Sequence, residues 1–333
     1  MSTELPEAEV LAEYPMNEER WHELRKKGVG GSDAGIIMGY SKYESPLSLW
    51  MLKTGRSEPT EAGEAAEMGT WLEPLIRGEL VKPFLVQNGY AREVFVHRPD
   101  AMYRNVSRPW MQANVDGFLR TKGGASGWFL HGLEIKTGNA YQLRHWGGVD
   151  GDEVPDTYYA QVQHYMAVTG LDEWWIFGVI GNRRLVRIVP RNEDFIERLT
   201  EAEADFWQRV ESGDPLQAPM PAGTEADMDA LMQLGSPQTD DAVDLTDVSG
   251  LIHAYYELGE DIKAKKENRE QIKQRIIATL GEAKYGETDT YRVTFTRYET
   301  TSFDKKQLKK DYPDIAGQYE TSKEAGRLTV KGR

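Results

Sequence analysis

Apolar residues recur along this chain with two different periods, and the switches between them mark out its elements. A helical period comes first: Asn17 can cap a helix that carries Trp21 and Leu24 on one side and runs to Lys27. After Gly28-Val29-Gly30-Gly31, Ser32 is expected to cap a second short helix ending near Met38. Pro46 suits the first turn of a third, with Leu47, Trp50 and Met51 at helical spacing. A longer helix is expected over 65–87, its regularity disturbed by Pro74 and Pro83. Strand character then dominates in 92–97, 110–120, 128–137, 173–181 and 184–190. One helix, 155–169, falls between the third and fourth of these, and another, 193–211, follows the last. Strands, a crossover helix and more strands, with helices before and after, predict an α/β fold with a central mixed sheet flanked by helices.

Past Gly213 the texture changes. Residues 1–213 are expected to form the first domain, 214–250 an acidic linker, and 251–333 a C-terminal accessory region of helix and strand. The long helix expected over 251–283 is apolar at Leu251, Tyr255, Leu258 and Ile262, then at Ile272, Ile276 and Leu280. Its middle is charged, and it reads as too short and interrupted for a coiled coil. Tyr291, Val293 and Phe295 alternate as a strand, a short helix is expected near Leu308–Lys310, and Arg327–Lys331 as a last strand. Residues 1–15 read as a loose acidic arm.

Composition narrows the chemistry. Cysteine is absent, which excludes disulfides, thiolate metal sites and a cysteine nucleophile. The histidines show no zinc-ligand spacing, and there is no G-x-S-x-G. The net charge of −14 argues against a nucleic-acid ligand until its distribution is considered. Residues 201–250 hold twelve Asp/Glu and one Arg, so the rest of the chain is close to neutral. The N-terminal residues are acidic and lack a signal-peptide core, and no apolar run reaches the ~20 residues of a membrane helix. A cytoplasmic protein without membrane contact is expected.

Against that background, Leu133-Glu134-Ile135-Lys136-Thr137 stands out. On a strand, Glu134 and Lys136 project to one face and the residues between them to the other. Ala113-Asn114-Val115-Asp116-Gly117 ends an earlier strand-like run, and a hairpin through Gly123-Gly124 would bring Asp116 beside Glu134. Two carboxylates, the Ile135 carbonyl between the side chains and a lysine suit a hard cation, Mg²⁺ or Mn²⁺, and a water activated by it. Glu73, in Gly69-Thr70-Trp71-Leu72-Glu73-Pro74, is placed to reach the same cation from the preceding helix or to stand on a helix surface. Arg25 with Gly30, Gly31 and Ser32 forms either a phosphate pocket or an ordinary helix start. In Tyr158-Tyr159-Ala160-Gln161-Val162-Gln163, Tyr158, Val162 and Tyr165 are expected to share one face and Gln161 another. Core packing accounts for the aromatics; a glutamine facing the cation would hold a phosphate or water.

These stretches, with Trp21-His22-Glu23-Leu24-Arg25, stand in the order found in the YqaJ-type viral recombinase family, which includes lambda phage exonuclease. Residues 17–210 resemble that family, part of the PD-(D/E)XK nuclease superfamily. The superfamily's proline before the first aspartate is Val115 here. The resemblance implies a restriction-endonuclease-like core and a Mg²⁺-dependent exonuclease acting 5′ to 3′ on double-stranded DNA with free ends. The 3′ overhang would pass to a phage single-strand annealing protein. It implies catalytic roles for Asp116, Glu134 and Lys136, metal contacts from the Ile135 carbonyl and Glu73, Gln161 in the active site, and Arg25 and Ser32 on the terminal 5′-phosphate. A ring-shaped homotrimer is implied as well. A structure- or site-specific endonuclease on the same fold and a non-catalytic DNA-end-binding factor are the alternatives.

Overall fold

The structure is a computed structural model that describes residues 5–58, 63–123, 127–234, 242–319 and 328–330. It divides into two compact units, Met1–Ser236 and Pro237–Arg333. In the first, β1 (Ala8–Glu13), α1 (Glu18–Lys26), β2 (Val29–Gly30), α2 (Gly31–Ile37) and α3 (Pro46–Lys53) lead to α4 (Glu64–Leu75). A π-helical turn, Ile76–Leu80, joins α4 to α5 (Val81–Gln87). Then follow β3 (Val94–His97), β4 (Ala101–Asn105), β5 (Met111–Ala113), β6 (Gly117–Gly123) and β7 (Gly127–Gly138). The unit continues with α6 (Asp156–Thr169), β8 (Glu173–Ile180), β9 (Arg183–Pro190), α7 (Glu193–Ser212) and α8 (Glu225–Leu234). Among the described residues, no helix is long and apolar enough to cross a membrane.

The central sheet runs β3-β6-β7-β8-β9. Only β7 and β8 pair in parallel, with α6 as their crossover; the other neighbours are antiparallel. This is the mixed sheet expected from the sequence. Its two faces are both covered. Leu133, Ile135, Leu119 and Phe177 pack with Ile76, Val81 and Leu85 on one side. On the other, Phe118, Trp174 and Ile176 pack with Tyr165, Met166 and Val162 of α6 and with Tyr103, Met111 and Ala113.

A second sheet, β1-β4-β5-β2, departs from the sequence reading. The supposed loose arm contains β1, which pairs antiparallel with β4, Ala8 opposite Asn105. The expected strand 110–120 is two strands in two sheets, separated by Asn114-Val115-Asp116. Helix α2 starts at Gly31 with Gly30 as its cap residue, so Ser32 lies inside the first turn and is not the cap. Asp33 takes the capping role, accepting the Gly30 N–H at 2.9 Å. Helix α8 packs on α3, where Ser45 Oγ donates to Asp227.

The second unit holds α9 (Ser249–Leu280), the hairpin β10 (Tyr285–Glu287) and β11 (Arg292–Thr294), and the short helices α10 (Lys305–Asp311) and α11 (Pro313–Gln318). Of the strand expected over 327–331, residues 328–330 are not in a strand and the flanking residues lie outside the described ones. Gly124 of the β6–β7 turn lies outside them too.

Gly132 shows how closely β7 lies against a side chain of its sheet neighbour β8. A Cβ there would sit 2.1 Å from the Trp174 indole. Gly132→Ala is therefore expected to destabilise the first unit by at least about 1–3 kcal/mol, the usual cost of overpacking. Denaturant titration measures it, and an unchanged midpoint would contradict this packing.

Candidate active site

Strand β7 places Glu134 and Lys136 on one face because Leu133 and Ile135 are drawn into the apolar layer on the other. Lys136 Nζ lies 2.6 Å from Glu134 Oε1. Antiparallel pairing of Gly117 with Leu133 brings the residue before β6 alongside, and Asp116 Oδ2 accepts the Ile135 N–H at 2.7 Å. The three residues singled out in the sequence thus meet.

Helix α6 closes the cluster from above. Gln161 Nε2 donates to Glu134 Oε1 at 2.8 Å, and Gln161 Oε1 accepts from Lys136 Nζ at 2.9 Å. The amide can do both because it carries a donor and an acceptor. Tyr165 stands one helical turn on, its hydroxyl 3.1 Å from Gln161 Nε2 and donating to the Asn114 carbonyl at 2.9 Å. The Lys136 ammonium lies over the Tyr158 ring, 4.6 Å from its centroid. Tyr158 and Tyr165 therefore line the polar cluster, and Gln161 shares its face with Tyr165, contrary to the expected division of the helix.

Glu73 approaches from α4. Its Oε1 accepts from Arg77 Nη1 at 2.6 Å, and the same nitrogen donates to the Asp116 carbonyl at 2.7 Å. Arg77 was not signalled by any motif; its i,i+4 spacing from Glu73 was the only clue.

The electrostatics are those of a buried excess of carboxylate. Burial, then the charges of Glu134 and Glu73, push the Asp116 carboxyl well above the usual range, against the pull of Lys136. Burial also raises Glu134, with Lys136 opposing and Glu73 adding to the rise. Burial works against the Lys136 ammonium, but Glu134 and Asp116 outweigh it and hold its pKa above the ordinary lysine value. Glu134 Oε2 is buried and has no hydrogen-bond partner. Such an orphaned anionic oxygen, in an oxygen-only donor set, fits a hard divalent cation. Among the described residues no group of three or more Asp, Glu or His side chains stands in a metal-holding arrangement. The fit therefore rests on Asp116, Glu134 and a main-chain carbonyl, with Glu73 nearby and engaged by Arg77.

The second constellation is built on α1, α2 and α3. Arg25 Nη2 donates to Ser32 Oγ at 2.7 Å, and the guanidinium stacks over Trp21, 4.8 Å from its centroid. Beneath them Asp33 is buried, 2.6 Å from Lys53 Nζ and 3.6 Å from Arg25 Nη2. Burial disfavours the Asp33 carboxylate, but Lys53 and Arg25 overcome this and hold its pKa below the usual value. Lys53 also donates to the carbonyls of Arg25 and Gly28, both at 2.8 Å. Gly31 has a packing role: a Cβ there would lie 2.4 Å from the Tyr165 ring. Tyr165 so touches both constellations. Asp33, Lys53 and Arg77 were not picked out as site residues in the sequence and Tyr165 was read as core packing, because their roles come from partners far along the chain.

A glutamate and a lysine on one strand of a mixed sheet, an aspartate just before the adjoining strand and a crossover helix closing over them define a PD-(D/E)XK-type core. Residues 20–172 match the model of the YqaJ-like viral recombinase domain. It is 29% identical to the uncharacterized protein YqaJ of Bacillus subtilis, over 97% of this chain and 98% of that protein. Among solved structures, it is similar to an alkaline exonuclease from Laribacter hongkongensis, 18% identical, covering 58% of this chain and 93% of that one at a TM-score of 0.45. A phage-related exonuclease from Haemophilus somnus is 14% identical, covering 58% of this chain and all of that one, at a TM-score of 0.38.

Lys53→Met would leave Asp33 buried without its main counter-charge. A loss of about 3–5 kcal/mol is expected, as for other broken buried pairs. Adding Asp33→Asn should recover part of it in urea titrations. Equal stability of the single and double variants would show that the pair is uncoupled.

Proposed function

We propose that this protein is a Mg²⁺-dependent deoxyribonuclease that digests double-stranded DNA from free 5′ ends and leaves 3′ single-stranded overhangs. The observation that carries the reading is Glu134 and Lys136 on one strand face, with Asp116 across the hairpin and Gln161 joining glutamate to lysine. The recombinase description of the family directs that chemistry to DNA.

Asp116, Glu134 and the Ile135 carbonyl would hold Mg²⁺, or Mn²⁺ in its place, with Glu73 beside them. When bound, the ion supplies an acidic water at neutral pH and neutralises charge on the scissile phosphate. Lys136, held by Glu134 and Gln161, is placed to orient the attacking water and to stabilise the extra negative charge of the transition state. Gln161, with the Tyr158 ring beneath it, keeps that ammonium aligned. Arg25 and Ser32 grip the terminal 5′-phosphate, a charge-assisted contact that an endonuclease does not need. The overhang is handed to a phage single-strand annealing protein, and a ring-shaped homotrimer around the duplex accounts for processive digestion in a bacterial cytoplasm.

Asp116→Ala and Glu134→Ala should each abolish digestion of linear duplex with Mg²⁺ while leaving the circular dichroism spectrum unchanged. Near-normal turnover of Asp116→Ala would remove it from the site. Covalently closed circular duplex should resist the wild-type enzyme, and its cleavage would point to an endonuclease instead.

The phosphate pocket has its own test. Charge-assisted hydrogen bonds contribute roughly 1.5–3 kcal/mol, which is about ten- to a hundredfold at ~1.4 kcal/mol per decade. Linear duplex bearing a 5′-phosphate should therefore be digested faster by that factor than duplex with a 5′-hydroxyl, and Arg25→Ala should erase the difference. Equal initiation rates on the two ends in the wild type would refute the pocket.

A further inference from the structure

Helix α9 is a single unbroken helix of 32 residues with no buried residue. At 1.5 Å per residue it is about 48 Å long. Leu251, Tyr255, Leu258, Ile262, Ile272 and Ile276 are each between 41% and 71% exposed. Their positions are separated by steps of four and three, and Lys265 and Arg269 fill the two missing steps in phase. A four–three alternation places all eight side chains in one seam that drifts only about 20° per heptad around the helix, the arrangement by which one helix packs along another with a slight supercoil. The charged middle therefore interrupts the apolarity of the seam but not its register.

The distribution of charge along α9 decides what fits this seam. Residues 249–262 carry Glu257, Glu260 and Asp261 and no Lys or Arg, a net of −3. Residues 263–280 carry six Lys/Arg and two Glu, a net of +4. A second copy lying parallel would oppose like to like, and would stack Lys265 on Lys265 and Arg269 on Arg269 inside the seam. A second copy lying antiparallel sets the acidic half of each helix against the basic half of the other.

We propose that α9 pairs antiparallel with α9 of a second copy of this chain. The register that keeps apolar residues together puts Leu251 opposite Ile276 and Tyr255 opposite Ile272, each contact occurring twice by two-fold symmetry. Leu258 then faces Arg269, and Ile262 faces Lys265. The aliphatic stems of these cations cover the apolar side chains while their charged ends reach outward. No layer holds two like charges. The contact is two-fold, so it cannot close a three-membered ring; in a ring-forming protein it would join rings in pairs. It does not depend on the nuclease reading.

The absence of cysteine allows a direct test on the full-length chain. Leu251→Cys and Ile276→Cys proteins, mixed and mildly oxidised, should form a disulfide-linked dimer that neither forms alone. In the antiparallel pair two copies of residue 251 stand about 38 Å apart, 25 residues at 1.5 Å each. Self-crosslinking of Leu251→Cys alone would establish a parallel pair and overturn the proposal. In parallel, Leu258→Asp with Ile272→Asp should halve the mass found by light scattering, with DNA digestion retained. An unchanged mass in that variant would overturn it, as would a wild-type mass of one or three chains, or no mixed disulfide between the two cysteine proteins. Retained digestion with failed pairing would dismiss the α9 contact alone; lost digestion in Asp116→Ala bears only on the active site.

Discussion

Two carboxylates and one ammonium have been taken out of water on a single strand face, and the architecture around them exists to make that tolerable. Isolated charges in an apolar interior are costly, and a buried cluster persists only when its members are paired and their remaining donors and acceptors are satisfied. Here Lys136 balances Glu134, the Ile135 N–H holds Asp116, and Gln161 bridges the glutamate and the lysine. One negative charge remains without a match, and one oxygen of Glu134 remains without a partner. The protein thereby holds in readiness an environment that a divalent cation would complete.

The supports of that cluster come from three directions. Arg77 ties the helix carrying Glu73 to the carbonyl of Asp116. Tyr165 ties α6 to the carbonyl of Asn114, and Tyr14 donates to the side chain of the same asparagine. His164, next to Tyr165, lies buried between the Gln112 carbonyl, 2.9 Å from Nε2, and Glu203, 2.7 Å from Nδ1. A carbonyl can only accept, so Nε2 carries a proton. Burial opposes a charged ring, but Glu203 more than compensates and raises the histidine's pKa above its ordinary value. Gln112, Asn114 and Asp116, alternate residues of this short segment, are thus each held by a group from a distant part of the chain.

The central sheet and its charged face were legible in the sequence because strand β7 alternates cleanly and its crossover helix is long and well bounded. Glu134, Lys136 and Asp116 could be brought together from period two and a hairpin alone. The second sheet could not. Strands β1 and β2 are short, β1 carries glutamates, and the partner of Ala8 is Asn105, far along the chain. The change of sheet at residues 114–116 left no mark in the hydrophobic pattern, since Met111, Ala113 and Val115, all buried, continue one unbroken two-residue alternation. Lys53 was invisible for another reason. Nothing in Leu52-Lys53-Thr54 shows that this ammonium is buried; only the folded neighbourhood of Asp33 does.

The change of sheet also fixes a length. Gly30, beside the Arg25–Ser32 pair, is the parallel partner of Gln112, and four residues further on the same backbone delivers Asp116 to the acidic cluster. An extended chain spans at most about 3.3–3.6 Å per residue, so these two points of the backbone can lie no more than roughly 13–14 Å apart. In the proposed function this stretch of polypeptide is a ruler between the strand that Gly30 pairs with, beside the phosphate pocket, and the place where a bond would be broken. Its graduation is covalent, so no rearrangement of side chains can lengthen it.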